Sequence, residues 1–134
     1  MQWLMLQQEK AEDYVIATGK MITVRKFIEL CALKLGWNVE KEGKGIIWEG
    51  SGLDEVGKRS DNGDVVIRID PRYFRPTEVE ELLGDSSKAK NKLGWTPKIS
   101  LNQTISEMIE EDSKEAKKEA LLKNKGFIIS SPKE

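Results

Sequence analysis

The chain has 134 residues and a mass of 15.2 kDa, a size that suits one compact domain with its own core and no need of disulfide or metal support. Its 38% hydrophobic and 34% charged residues describe a globular chain rather than a disordered one. The 22 basic residues against 23 acidic ones leave a net charge of -1, which argues against a nucleic-acid partner held by a general basic field.

In chain order, Trp3, Leu4, Met5 and Leu6 pattern as the last turns of an amphipathic helix with no N-terminal cap before it. The expectation is a chain entered in the middle of an element. Residues 13–17 (Asp-Tyr-Val-Ile-Ala) then predict a short buried strand ending at Gly19. Thr23 is the natural N-cap of a helix over 24–35, with Val24, Phe27, Ile28, Cys31 and Leu35 on its apolar face and Gly36 at its C-terminal cap. Cys31 on that face reads as a small core hydrophobe.

Residues 37–63 carry six glycines and many charges and predict a loop-rich region with at most two short strands. The clearest strand covers 65–69 and stops at Asp70-Pro71, because proline cannot donate to a ladder. The remainder predicts helices over 78–83, ending at Gly84, and 86–93, capped by Asp85 and stopped by Gly94. A long helix follows, opened by the Ser100/Gln103 capping box and buried through Leu101, Ile105, Met108 and Ile109. Its later turns, with early glutamates and late lysines, read as a solvated face. The fold class is therefore α/β in the loose sense, an α+β-like small domain, mainly helical with a few short strands.

Catalytic candidates are few. The chain has no histidine, which excludes histidine bases, histidine metal ligands and Ser-His-Asp or Cys-His catalysis. A single cysteine excludes an internal disulfide or a zinc cage and points to a reducing compartment. No signal-peptide pattern and no run of ~20 apolar residues is present, so the expectation is a cytoplasmic domain without a membrane partner. Gly52 to Arg59 (GLDEVGKR) imitates a phosphate-binding loop. However, it ends in Arg59 where Ser or Thr should hold magnesium, encloses two acids, and predicts neither a strand before it nor a helix after it.

The loop Asp70-Pro71-Arg72-Tyr73-Phe74-Arg75-Pro76-Thr77-Glu78 is the better candidate, since it follows the best strand and precedes a helix. Its prolines fix φ twice. The Arg75 guanidinium suits a diphosphate, and the Glu78 carboxylate suits a ribose diol. The alternatives are a surface Arg75–Glu78 ion pair contributing a few tenths of a kcal/mol, with Tyr73 and Phe74 as plain core anchors. No Tyr-x-x-x-Lys pair and no glycine-rich dinucleotide fingerprint occurs, so neither a catalytic nor a cofactor-binding residue is assigned.

The stretches MQWLMLQQEKAEDYVIATG, DPRYFRPTEVEELLGD, SKAKNKLGW with Pro97, and EAKKEALLKNKGF resemble GDP-mannose 4,6-dehydratases, in order, from residue 1 to about 127. The Arg-Pro-Thr-Glu and Leu-Gly-Trp-x-Pro elements are specific in combination, and the match is poorest over 41–64. The resemblance is to the C-terminal, substrate-binding portion of a Rossmann-type nucleotide-sugar enzyme of the extended short-chain dehydrogenase/reductase type. It implies that residues 1–134 are one substrate-binding domain fragment, with the NADP-binding Rossmann domain absent.

It further implies a lyase that converts GDP-mannose to GDP-4-keto-6-deoxymannose, on the way to GDP-fucose. NADP is the cofactor of the intact homo-oligomeric enzyme, and none is bound by this chain alone. Arg75 inherits the diphosphate and Glu78 the ribose hydroxyls, while Arg72 inherits no stated role. The partners implied are GDP-mannose and the missing Rossmann domain or subunit, and exposed apolar surface is expected to drive self-association. The alternative is a non-enzymatic nucleotide- or partner-binding module reusing the same fold, or an inert remnant.

Overall fold

The computed structural model describes residues 1–38, 43–75 and 82–128. The elements run in the order α1 (Gln2–Leu6), α2 (Val24–Lys34), β1 (Ile46–Glu49), β2 (Val56–Arg59), β3 (Val65–Arg68), α3 (Ser87–Leu93) and α4 (Leu101–Asn124). Among the described residues four helices and one antiparallel sheet make a mixed α/β architecture.

Local sequence accounts for most of the boundaries. Thr23 Oγ1 accepts the backbone N–H of Lys26 at 3.0 Å and opens α2. Ser100 and Gln103 form the reciprocal capping box that opens α4, so two of the orphan donors at that terminus are satisfied. The Asp85 carboxylate accepts the Ser87 N–H at 2.9 Å at the start of α3, although the helix proper begins one residue later than the pattern suggests. Gly94 closes α3 at φ +63°, in the left-handed region where a Cβ is penalised.

The sheet has the order β1-β2-β3, both pairs antiparallel. Ile46 lies opposite Arg59 and Glu49 opposite Val56. Lys58 pairs with Val65, with an irregularity between Gly57 and Lys58. Gly57 has no room for a side chain, since a Cβ there would lie 2.8 Å from Ile67 Cδ1 and 3.1 Å from the Trp48 ring. The close approach lets Trp48 lie across the sheet. Residues 60–63 form the turn expected of them, with Asp64 N donating to Asn62 Oδ1.

Helix α2 packs on both α4 and β1. Among the described residues, Ala32, Ile46, Ala89 and Ile105 are the buried apolar side chains. Of the four residues expected to line the buried face of α4, Ile105 is buried and Ile109 partly so, whereas Leu101 and Met108 are exposed. Helix α2 meets α4, and of the later stripe Ala116, Ala120 and Leu121 are exposed.

One expectation is corrected. Residues 13–17 are not a strand and are not buried: they belong to no element, and Val15 and Ile16 are exposed. Their β-branched pattern is real, but a strand exists only where a second strand completes its ladder. Helix α1 forms, and Trp3 and Leu6, 69% and 81% exposed, supply the expected exposed apolar surface. The helix expected over 78–83 lies outside the described residues except at Leu82 and Leu83, both exposed. Among the described residues no helix is long and apolar enough to cross a membrane.

Candidate functional site

Strand β3 delivers the chain into a tight turn. Tyr73 N donates to Asp70 O at 3.1 Å, closing four residues, and Arg72 N donates to Asp70 Oδ1 at 2.9 Å, so Asp70 folds over its own backbone as an Asx turn. The same carboxylate receives Arg72 Nε at 3.2 and 3.1 Å and an Arg72 terminal nitrogen at 2.7 Å. The Arg72 side-chain bonds, aided by its backbone N–H, hold the Asp70 carboxyl below its ordinary range, and Asp70 in turn raises Arg72. The Arg72 guanidinium also lies 5.3 Å from the centre of the Tyr73 ring, a cation–π distance.

Arg72 is thus bound to Asp70 and shapes the turn, while Arg75, exposed three residues on, stands at the end of a loop stiffened from within. Tyr73 and Phe74 are 69% and 43% exposed, so the alternative that made them core anchors is overturned. Glu78 lies outside the described residues.

The imitation of a phosphate loop is dismissed. Gly52–Asp54 form a single 3-10 turn, and the would-be helix is strand β2. Strand β1 does precede it, contrary to expectation, because the two form a hairpin. Lys58 is engaged by Glu49, and Arg59 by Asp61 at 2.6 Å. Among the described residues no group of three His, Cys, Asp or Glu side chains can hold a metal ion. A separate groove of about 600 Å³ runs between Thr18–Ile22 and Pro97–Thr104, away from the Asp70–Arg75 turn.

One polar cluster escaped the sequence. Glu29 is only 5% exposed on α2. It accepts Trp48 Nε1 at 3.3 Å and has Lys26 and Lys44 ammonium groups at 3.8 Å. Beside it, Arg25 pairs with Glu55 at 2.6 Å and lies 4.4 Å from the Trp48 ring centre. Arg59 likewise covers Trp37 at 4.6 Å, and Ser60 Oγ donates to Trp37 O. These contacts fasten the β1–β2 hairpin to α2 and so fix the sheet from which the Asp70–Arg75 turn departs. The available signal was a carboxylate set within the apolar run Phe27-Ile28-Glu29-Leu30-Cys31, and a tryptophan whose N–H needs an acceptor once covered.

Residues 1–108 match the family model described as GDP-mannose 4,6 dehydratase. The GDP-mannose 4,6-dehydratase of Yersinia enterocolitica is 53% identical over 133 residues, covering 97% of this chain and 36% of the relative. That of Vibrio cholerae is 53% identical over 132 residues, with 96% and 36% covered. The human GDP-mannose 4,6 dehydratase is 44% identical over 110 residues, with 82% and 28% covered. The chain belongs to the GDP-mannose 4,6-dehydratase family. It spans about a third of the length of the bacterial relatives it matches, 36% in each of these two.

Proposed function

We propose that this chain is the C-terminal GDP-sugar-binding part of a GDP-mannose 4,6-dehydratase, a single substrate-binding domain that has no turnover alone. The observation that carries the reading is the braced turn after β3, in a chain matching only 36% of its bacterial relatives. Asp70 and Arg72 stiffen the loop by four hydrogen bonds, from the side chain and the backbone N–H of Arg72 to the Asp70 carboxylate. Arg75 is therefore presented with little loop entropy left to lose on binding.

A guanidinium there grips the diphosphate of a nucleoside diphosphate sugar through two parallel N–H donors. Glu78 accepts from the ribose hydroxyls. Arg72, neutralised by Asp70, supplies rigidity rather than a second phosphate contact.

In the whole protein NADP would accept a hydride from the sugar and return it. The described residues do not fit that group. Their sheet is antiparallel throughout, without the parallel strand–turn–helix that places a pyrophosphate on a helix N-terminus. The chain's task is then to bind and orient GDP-mannose from one side, in a protein that works in the cytoplasm as an oligomer.

The test is an amide NMR titration of the chain with GDP-mannose, with Arg75→Ala as control. Localised shifts around residues 70–78 that vanish in the variant are expected. A well-dispersed spectrum without shifts at saturating ligand overturns the half-site. Incubation with GDP-mannose and NADP should yield no product, and reproducible turnover would contradict the reading.

A further inference from the structure

Of the five asparagines in the chain, Asn62 alone precedes a glycine; the others precede valine, lysine or glutamine. It lies in the loop that joins β2 to β3. Arg59 N donates to Asp64 O at 2.9 Å across the base of that loop, and Gly63 N donates to Arg59 O at 2.9 Å within it. Gly63 takes φ +78°, the left-handed region that favours glycine, and a Cβ there would meet nothing within 4 Å. The residue that closes the turn therefore also leaves the backbone nitrogen after Asn62 without a shielding side chain. Residues 61–64 are exposed, so water reaches them.

Asparagine before an unshielded backbone nitrogen carries its own chemistry. The Gly63 nitrogen, on losing its proton, attacks Asn62 Cγ. The N–Cγ bond forms, the Cγ–Nδ2 bond breaks, and Nδ2 leaves as ammonia with the proton that Gly63 gives up. Water then opens the cyclic imide at either carbonyl. One opening leaves an aspartate. The other routes the main chain through Cβ and Cγ and lengthens it by one methylene. Water is the sole co-reactant and nothing is oxidised or reduced.

The folded turn opposes these steps. The proton that Gly63 must lose is held by Arg59 O. The Asn62 carboxamide is clamped at both ends by one residue: Oδ1 accepts Asp64 N at 3.0 Å, and Nδ2 donates to Asp64 Oδ2 at 2.7 Å. Ring closure moves Cγ toward Gly63 N and swings Nδ2 away as the leaving group, so both bonds must be given up first. The base of the loop is anchored as well. Ser60 N donates to Gly45 O at 3.1 Å, and the Arg59 guanidinium is bound to Asp61 at 2.9 and 2.6 Å and lies 4.6 Å from the Trp37 ring centre.

We propose that Asn62 is a deamidation site that the β2–β3 turn holds shut, and that its product unlatches the turn. The latch is Asp64. After reaction a carboxylate stands at position 62 where Nδ2 donated to Asp64 Oδ2, so two anions meet in place of a donor and an acceptor. In the isoaspartyl product the longer main chain also takes Gly63 N out of register with Arg59 O. The change adds one negative charge to a chain of net charge -1.

The test is peptide mapping by mass spectrometry of the chain aged in mildly alkaline buffer, folded and in guanidinium chloride, with chromatography separating the aspartyl and isoaspartyl products. Modification should concentrate at Asn62 and run at least ~100-fold slower in the folded chain, because the reaction waits on local opening. In guanidinium, where the fold plays no part, Gly63→Ala should abolish it. In the folded chain Asp64→Ala should speed it about tenfold, the effect of one lost hydrogen bond to a charged acceptor. Asp64→Asn, which keeps an acceptor for Nδ2, should stay near the wild-type rate. Amide exchange at Arg59 shows that each variant keeps the hairpin, and its protection should be lost in the purified isoaspartyl form. Equal rates in folded and unfolded wild type overturn the gate, whatever the variants do. An unchanged or slower rate in folded Asp64→Ala rules out Asp64 as the latch. Absence of reaction at Asn62 in guanidinium removes the site itself, and an isoaspartyl form that keeps its Arg59 protection refutes the unlatching.

Discussion

Replacing Glu29 by methionine keeps an unbranched side chain of similar length on α2 while removing its carboxylate. Two contributions are lost. The hydrogen bond from Trp48 Nε1 goes to a charged acceptor, a class contributing about 1.5–3 kcal/mol, but at 3.3 Å it is long, so the lower end applies. The two ammonium groups at 3.8 Å are 53% and 72% exposed, and each such pair contributes at most about 0.5 kcal/mol. Release of a desolvated carboxylate offsets part of the sum, leaving a net loss of about 2 kcal/mol.

With a urea m-value of about 2 kcal/mol/M, Glu29→Met should lower the midpoint by about 1 M, followed by tryptophan fluorescence. Glu29→Gln keeps an acceptor for Trp48 and should lose less than half as much. In 1 M NaCl, where the Debye length is about 3 Å, the Gln variant should approach the wild type and the Met variant should not. If Gln and Met are equally damaging at both salt concentrations, the Trp48 hydrogen bond is not what holds the hairpin to α2, and the reasoning fails.

Glu12, gripped by Lys92 and Lys88, has its pKa lowered from an ordinary 4.5 to about 2; a depressed carboxylate contributes stability that is complete above its unfolded value and lost as pH falls through the folded one. The stability difference between wild type and Glu12→Gln should therefore be constant above about pH 5.5 and disappear toward pH 2, and NMR titration of the Glu12 carboxyl should move upward in Lys92→Ala. Ser100→Ala removes half of the capping box on α4 and should cost about 1 kcal/mol in denaturant unfolding, with Ser100→Asp restoring most of it. Gly94→Ala forces a Cβ into φ +63° and should cost about 1 kcal/mol, whereas Gly94→Asn, which tolerates that region, should cost less.

What could be read in the sequence was local. Thr23, Ser100 with Gln103, Asp85 and Gly94 each act within four residues, so their roles are visible as spacing. The Asp70–Arg75 turn was legible for the same reason, including the arrest of β3 before Pro71. The Asp70–Arg72 pairing was not anticipated, because the loop was read for ligand contacts through Arg75 and Glu78 and Arg72 was given no role. Residues separated by 19 or 30 positions, such as Glu29 with Trp48 or Arg25 with Glu55, leave no periodic trace. The failed strand at 13–17 has a different cause: propensity describes one strand, and a ladder needs two.

Helix α4 has 24 residues, about 36 Å at 1.5 Å per residue, and Ile105 is its one buried side chain. Its outer half is tied to itself, by Lys114 to Glu110 and Glu111, Lys118 to Glu115, and Lys123 to Glu119. Such contacts follow helix–coil statistics and fray from the free end. The helix contains none of the four tryptophans. Thermal melts monitored by circular dichroism at 222 nm should therefore begin at lower temperature than those monitored by fluorescence. The early phase reports the rod unwinding toward Ile105, and the late phase the cooperative loss of the hairpin and α2.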